Sequence, residues 1–131
     1  MRRFTEIAPG VLVATAELFR TTTTVASGPG GRCLVIDPAV TVSELATLAA
    51  ELAATGLRPQ AGFATHPHWD HVLWCSDLGD VPRYAAPRAV ATATAERDGL
   101  ASGEDSDDSR LTQDWLKGQH KLHLAHCRAH I

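Results

Sequence analysis

The sequence predicts one α/β domain with a reactive loop at the carboxyl end of a strand. Three observations lead there. Strand-like apolar and β-branched segments crowd the first third of the chain, and a capped amphipathic segment over residues 41–56 separates two short apolar runs. Four ligand-type side chains then fall within six residues, directly after the second run.

Residues 7–19 (IAPGVLVATAELF) have strand-like composition, punctuated by the turn signal Pro9-Gly10. The β-branched run 21–26 follows at once, which predicts antiparallel strands, and the sequence SGPGG over 27–31 predicts a turn. Cys33-Leu34-Val35-Ile36 predicts a short buried strand ending at Asp37-Pro38. Thr41 is a good helix N-cap with Glu44 three residues on, the pattern of a capping box. Leu45, Leu48, Ala49 and Leu52 recur on one helical face, and Gly56 supplies the stop. Residues 61–65 (AGFAT) predict the next buried strand. Beyond the ligand cluster, residues 72–78 predict a helix closed by Gly79-Asp80, residues 81–85 a short strand, and residues 87–97 a helix with Pro87 near its start. The stretch 102–109 (SGEDSDDS) is acidic, small and polar, and predicts an exposed loop.

Size and charge narrow the function. A chain of 131 residues supports one compact domain and not two, so residues 1–131 are read as a single unit. Apolar residues at 44% and charged residues at 21% are globular values, and a net charge of −3 with scattered bases gives no footprint for nucleic acid or an anionic membrane. No run is long enough to cross a bilayer, and Glu6, Pro9 and Glu17 interrupt any apolar stretch after Arg2-Arg3, so no targeting segment is expected. Cys33, Cys75 and Cys127 are odd in number and lack CxxC spacing, which argues against a disulfide framework or a zinc ribbon. A cytoplasmic location is the resulting expectation.

The chemistry concentrates in His66-Pro67-His68-Trp69-Asp70-His71. His66 and His68 are one residue apart, so on an extended loop both rings can reach one ion. Asp70 and His71 are adjacent at a helix entry and can face a second. Imidazole and carboxylate together suit zinc. Two ions about 3.5–4 Å apart share a water, lower its pKa to the neutral range and leave one metal free to stabilise an oxyanion. A chance group of surface histidines is the bland alternative, and four ligand types at this spacing argue against it. Trp69 and Trp74 are read as packing residues and Cys75 as a buried structural thiol.

This His-x-His-x-Asp-His pattern, with the capped helix and strands around it, resembles the defining motif of the metallo-β-lactamase superfamily. The resemblance covers nearly the whole chain. It implies an αββα sandwich, of which this chain corresponds to the N-terminal half plus a short tail. It implies metal ligation by His66 and His68 at one site and by Asp70 and His71 at a second, with two zinc ions expected and iron or manganese as alternatives. Asp70 would also orient the attacking hydroxide, and Asp37, at the end of an earlier strand, would help to order the metal loop; Asp-Pro is equally an ordinary turn initiator. The reaction implied is hydrolysis of an ester, thioester, lactone, amide or phosphodiester in a small-molecule substrate, and the family name does not imply β-lactam cleavage.

The sequence departs from the family in its second half. Members are longer and complete the site with a third histidine, a bridging Asp and a last histidine, whereas here no Asp follows Asp114. The chain therefore reads as truncated. In the tail 118–131, His120, His123, His126 and His130 would share one face of a helix, beside Cys127. A solvated, poorly ordered tail is the preferred reading of that row, with metal binding as the other. Two readings of the whole follow: a di-zinc hydrolase, or an inactive fragment that binds metal weakly or self-associates through an exposed half-domain surface.

Overall fold

The computed structural model describes residues 3–17, 19–38 and 40–102, with backbone alone at Val42, Trp69 and residues 96–102. Among the described residues six strands form one sheet in sequential order: β1 (Thr5–Ala8), β2 (Val11–Thr15), β3 (Thr22–Ser27), β4 (Arg32–Ile36), β5 (Arg58–Ala64) and β6 (Arg83–Ala85). The first four pair antiparallel, as the short turns between them require; β4–β5 and β5–β6 are parallel. The crossover between β4 and β5 is helix α1 (Val42–Ala54). The predicted mixed α/β fold is therefore present, and the His66–His71 motif follows β5.

Helix α1 has both ends tied by side chains and backbone, as its sequence predicts. Thr41 Oγ1 accepts from Glu44 N at 3.2 Å, while Thr41 N donates to Glu44 Oε2 at 3.3 Å. At the other end Gly56 takes a φ of +72°, so Gly56 N reaches Ala53 O and Leu57 N reaches Leu52 O at 2.8 Å. Leu45, Leu48 and Leu52 are fully buried against Val25, Cys33 and Val35 of the sheet, together with Leu73, Trp74 and Leu78. Each buried leucine contributes about 1.5–3 kcal/mol of transfer free energy before side-chain entropy is counted. Glu44 also ties the helix to the end of β2, its Oε1 accepting from Glu17 N at 3.1 Å.

Strand β5 begins at Arg58, earlier than expected. Its Pro59 has no N–H for the ladder, and the pairing with β4 skips Gln60, stepping from Cys33–Pro59 to Leu34–Ala61. The register places Val13, Thr24, Ala26, Leu34, Ile36, Ala61 and Phe63 on the sheet face opposite α1. None of these is fully buried, and Phe63 is 38% exposed.

Two expected elements change. The helix predicted over 72–78 is instead a single turn, α2 (Trp69–Val72), then irregular chain and a 3-10 turn at Ser76–Leu78. Leu73 and Trp74 both turn into the core, and Trp74 Nε1 donates to Gly79 O at 2.9 Å, which folds the segment back on itself. Helix α3 (Pro87–Ser102) runs past residue 97; Val90 N donates to Ala86 O, leaving Pro87 in the first turn where its missing N–H costs nothing. Ser102 is thus helical, and the rest of the acidic stretch 102–109 lies outside the described residues. So does the tail 118–131 with its four histidines and Cys127.

Candidate metal centre

The motif loop leaves the sheet where two strand ends are clamped together. Asp37 closes β4, its N–H donating to Phe63 O at 2.9 Å, and then adopts a left-handed φ of +48° that turns the chain off the sheet. Asp tolerates that region better than most residues, and such strain collects at functional sites. The carboxylate reaches across to the end of β5. Oδ1 accepts from Thr65 N at 2.8 Å and Oδ2 from Thr65 Oγ1 at 2.6 Å.

The next residues fold tightly. His71 N and Val72 N both donate to His68 O, at 2.9 and 3.3 Å, which starts α2 and swings Asp70 and His71 back toward His66. One ligand atom from each of His66, Asp70 and His71 lies within 4.8 Å of the others. The rings of His66 and His71 are 3.7 Å apart between centroids. His71 sits between two carboxylates: Nε2 is 3.3 Å from Asp70 Oδ2 on the cluster side, and Nδ1 is 3.2 Å from Asp37 Oδ2 behind, off the line of a hydrogen bond. Both carboxylates are largely shielded from solvent, so the cluster concentrates negative charge beside two imidazoles.

The structure therefore brings three of the four candidate ligands to one point. His68 is exposed, with its ring edge-on to His66 and 4.9 Å away between centroids. Asp37 touches Thr65 and faces His71 rather than joining the donor group. Thr65 is a site residue that the ligand spacing does not mark, its one signal in the sequence being a hydroxyl immediately before the first histidine. Trp74 is buried over Gly62, under the Arg83 guanidinium, which lies 6.0 Å from its ring; the side chain of Trp69 lies outside the described residues. Cys75 is half-buried rather than buried, and burial pushes its thiol up, as it does for Cys33.

Two imidazole nitrogens and a carboxylate oxygen converging in this way fit a divalent cation of the zinc class, whose ligands stand about 2.0–2.2 Å from the metal. The sequence matches the family model of the metallo-beta-lactamase superfamily over residues 17–125.

The chain belongs to the metallo-beta-lactamase superfamily.

Solved metallo-beta-lactamases share the fold. The DIM-1 enzyme exposed to ceftazidime aligns with a TM-score of 0.62 at 16% identity, covering 72% of this chain and 47% of that one. A metallo-beta-lactamase from Erythrobacter litoralis gives 0.57 at 18% identity, with 72% and 45% covered. FIM-1 from Pseudomonas aeruginosa, in its mono-zinc form, gives 0.58 at 18% identity, with 72% and 46% covered. The chain thus spans a little under half the length of these metallo-beta-lactamase structures. No curated protein sequence matches it. Among the described residues no helix is long and apolar enough to cross a membrane.

Proposed function

We propose that the chain holds the metal loop of a metal-dependent hydrolase, with zinc as the preferred ion. The observation that carries this is the convergence of His66, Asp70 and His71 at the carboxyl end of β5. A divalent ion there supplies Lewis acidity, polarising the bond to be cleaved and making a water nucleophile available near pH 7. The chain's own contribution is to hold the donors. His66 and His71 present imidazole nitrogens, Asp70 presents a carboxylate that also keeps the local charge suited to a cation, and the Asp37–Thr65 clamp fixes where the loop begins. His68 is the fourth donor of the proposed set: the first ion takes the convergent group of His66, Asp70 and His71, and in the proposed two-ion form His66 and His68 hold one ion and Asp70 and His71 the other. Ester, thioester, lactone, amide or phosphodiester bonds of small molecules are the proposed substrate class.

The test is metal content per chain by elemental analysis after dialysis, with turnover of generic ester and phosphodiester substrates. At least one bound ion per chain, with hydrolysis lost in Asp70→Ala, supports the proposal. Less than one ion per chain and no turnover would sink it.

A second reading rests on the sheet face bearing Leu34, Ile36, Ala61 and Phe63, which is apolar and only half-buried. With about 3.3 Å per residue and about 4.8 Å between strands, this two-strand patch has roughly 150–200 Å² of projected area and the whole six-strand face roughly 400–500 Å². A standard interface covers about 800 Å² per partner, so a partner would have to cover the whole sheet face and not the apolar patch alone. A second copy of the chain is the occupant that fits, sheet against sheet. Sedimentation equilibrium should then show a concentration-dependent dimer that Leu34→Lys abolishes; a monomer at every concentration contradicts it.

A further inference from the structure

Thr65 has a single hydroxyl proton and two polar neighbours. The hydroxyl lies 2.6 Å from Asp37 Oδ2 and 3.2 Å from His66 Nδ1. The shorter contact takes the proton, because a carboxylate accepts and has none to give, and charge-assisted O–H···O⁻ bonds run at about 2.5–2.7 Å. The backbone N–H of the same residue binds the other carboxylate oxygen at 2.8 Å, which fixes the hydroxyl in this orientation. Oγ1 is left with lone pairs alone to offer His66 Nδ1. A lone pair is met by a ring nitrogen that carries a proton. The tautomer of His66 that meets this lone pair is the one with its proton on Nδ1 and its lone pair on Nε2.

We propose that Thr65 is a positioning residue that selects the Nδ1-protonated tautomer of His66 and so presents Nε2 as the ligand atom. The inference rests on reading the cluster as a metal site, but the tautomer itself is a property of the metal-free chain. It matters because a free imidazole in water prefers the opposite tautomer, and a neutral ring binds metal only through its unprotonated nitrogen. Asp37 acts through Thr65 here: the chain Asp37–Thr65–His66 carries the carboxylate's influence to a ring that Asp37 does not itself contact among the hydrogen bonds described.

The experiment uses the full chain, stripped of metal with a chelator and labelled with ¹⁵N-histidine. Long-range ¹H–¹⁵N correlation at pH 8, where an ordinary imidazole is neutral, reads which nitrogen of His66 is protonated, and zinc titration follows on the same samples. The wild type and Thr65→Ser should show protonated Nδ1. Thr65→Val, which keeps the shape without the hydroxyl, should shift His66 toward protonated Nε2. Zinc affinity should fall about 10–100-fold in Thr65→Val and stay within about 3-fold in Thr65→Ser, the range seen when partners of ligating histidines are removed. Protonated Nε2 in the wild type overturns the proposal, and this spectrum decides it even if Thr65→Val fails to fold. An unchanged tautomer in folded Thr65→Val also overturns it. If the tautomers behave as expected and no variant binds zinc, the metal reading of the cluster fails while the role of Thr65 stands.

Discussion

Thr65 donates both its backbone N–H and its hydroxyl to Asp37, at 2.8 and 2.6 Å, and this pair locks the end of β5 to the end of β4. Every donor of the candidate metal centre lies within six residues of that lock, so loop position and ligand position share one cause.

Asp37→Ala removes the acceptor for both Thr65 donors. A hydrogen bond to a charged group is worth about 1.5–3 kcal/mol, and a stranded N–H adds its own desolvation cost. The variant should lose about 2–3 kcal/mol in urea unfolding of the metal-free chain, and bind zinc about 10–100-fold more weakly. Asp37→Asn keeps one carbonyl oxygen and should fall between the two. Unchanged affinity in a destabilised Asp37→Ala chain would separate the fold role of this residue from any role at the metal.

The histidines should not be equivalent. His66 and His71 belong to the convergent donor group, whereas His68 stands exposed beside it. Calorimetric zinc titration should show the first ion lost, or weakened at least about 100-fold, in His66→Ala and His71→Ala. His68→Ala should retain that ion with an affinity lowered about 10-fold or less. Equal losses in all three would mean that His68 also binds that ion once it arrives.

Glu44 ties α1 to its own cap and to the end of β2. Burial pushes its carboxyl up, but the N–H groups of Glu17 and Thr41 favour the charged form, and the net shift is downward. A lowered folded-state value means the stabilisation is complete above the unfolded value of about 4.3 and disappears as pH falls through the lower folded value. The stability gap between wild type and Glu44→Gln should therefore be widest at neutral pH and close in acid. Urea midpoints measured from pH 7 down to 3 check the sign; a gap that widens in acid would contradict it. Thr41→Ala removes the other half of the box and should cost about 1 kcal/mol.

Gly62 faces the Trp74 ring at the centre of β5. A Cβ there would stand 2.6 Å from Trp74 Cζ3 and 3.1 Å from Arg83 Cγ. Overpacking of this kind costs about 1–3 kcal/mol, so Gly62→Ala should lower the thermal midpoint. Trp74→Phe in the same chain should recover part of the loss, because the smaller ring vacates the clash. A double-mutant cycle measures that coupling, and strict additivity would show that the two positions do not meet in solution.

Much of this protein was legible from local pattern. The capping box of α1, its glycine stop and the leucine face follow from residues within one or two helical turns of each other, so the sequence contains their whole cause. The segment after the motif was misread for the opposite reason. Residues 72–78 look helical in isolation, yet Leu73 and Trp74 are drawn into a core built by β3, β4 and α1, and a long-range demand outweighs a weak local preference. The early start of β5 was hidden in the same way, since Pro59 speaks against a strand and only the skipped pairing at Gln60 accommodates it.

By itself the sequence determined the chemistry on offer: imidazoles and a carboxylate in one short loop, and the strand and capped helix that bring the loop to a sheet end. Which of those side chains meet was decided only by tertiary structure. His66 joins Asp70 and His71 because the His68 carbonyl starts a helical turn there, and Thr65 matters because Asp37, twenty-eight residues away in sequence, stands beside it. Spacing along a loop limits what a side chain can reach, but the direction it faces is set by hydrogen bonds to residues that only folding brings near.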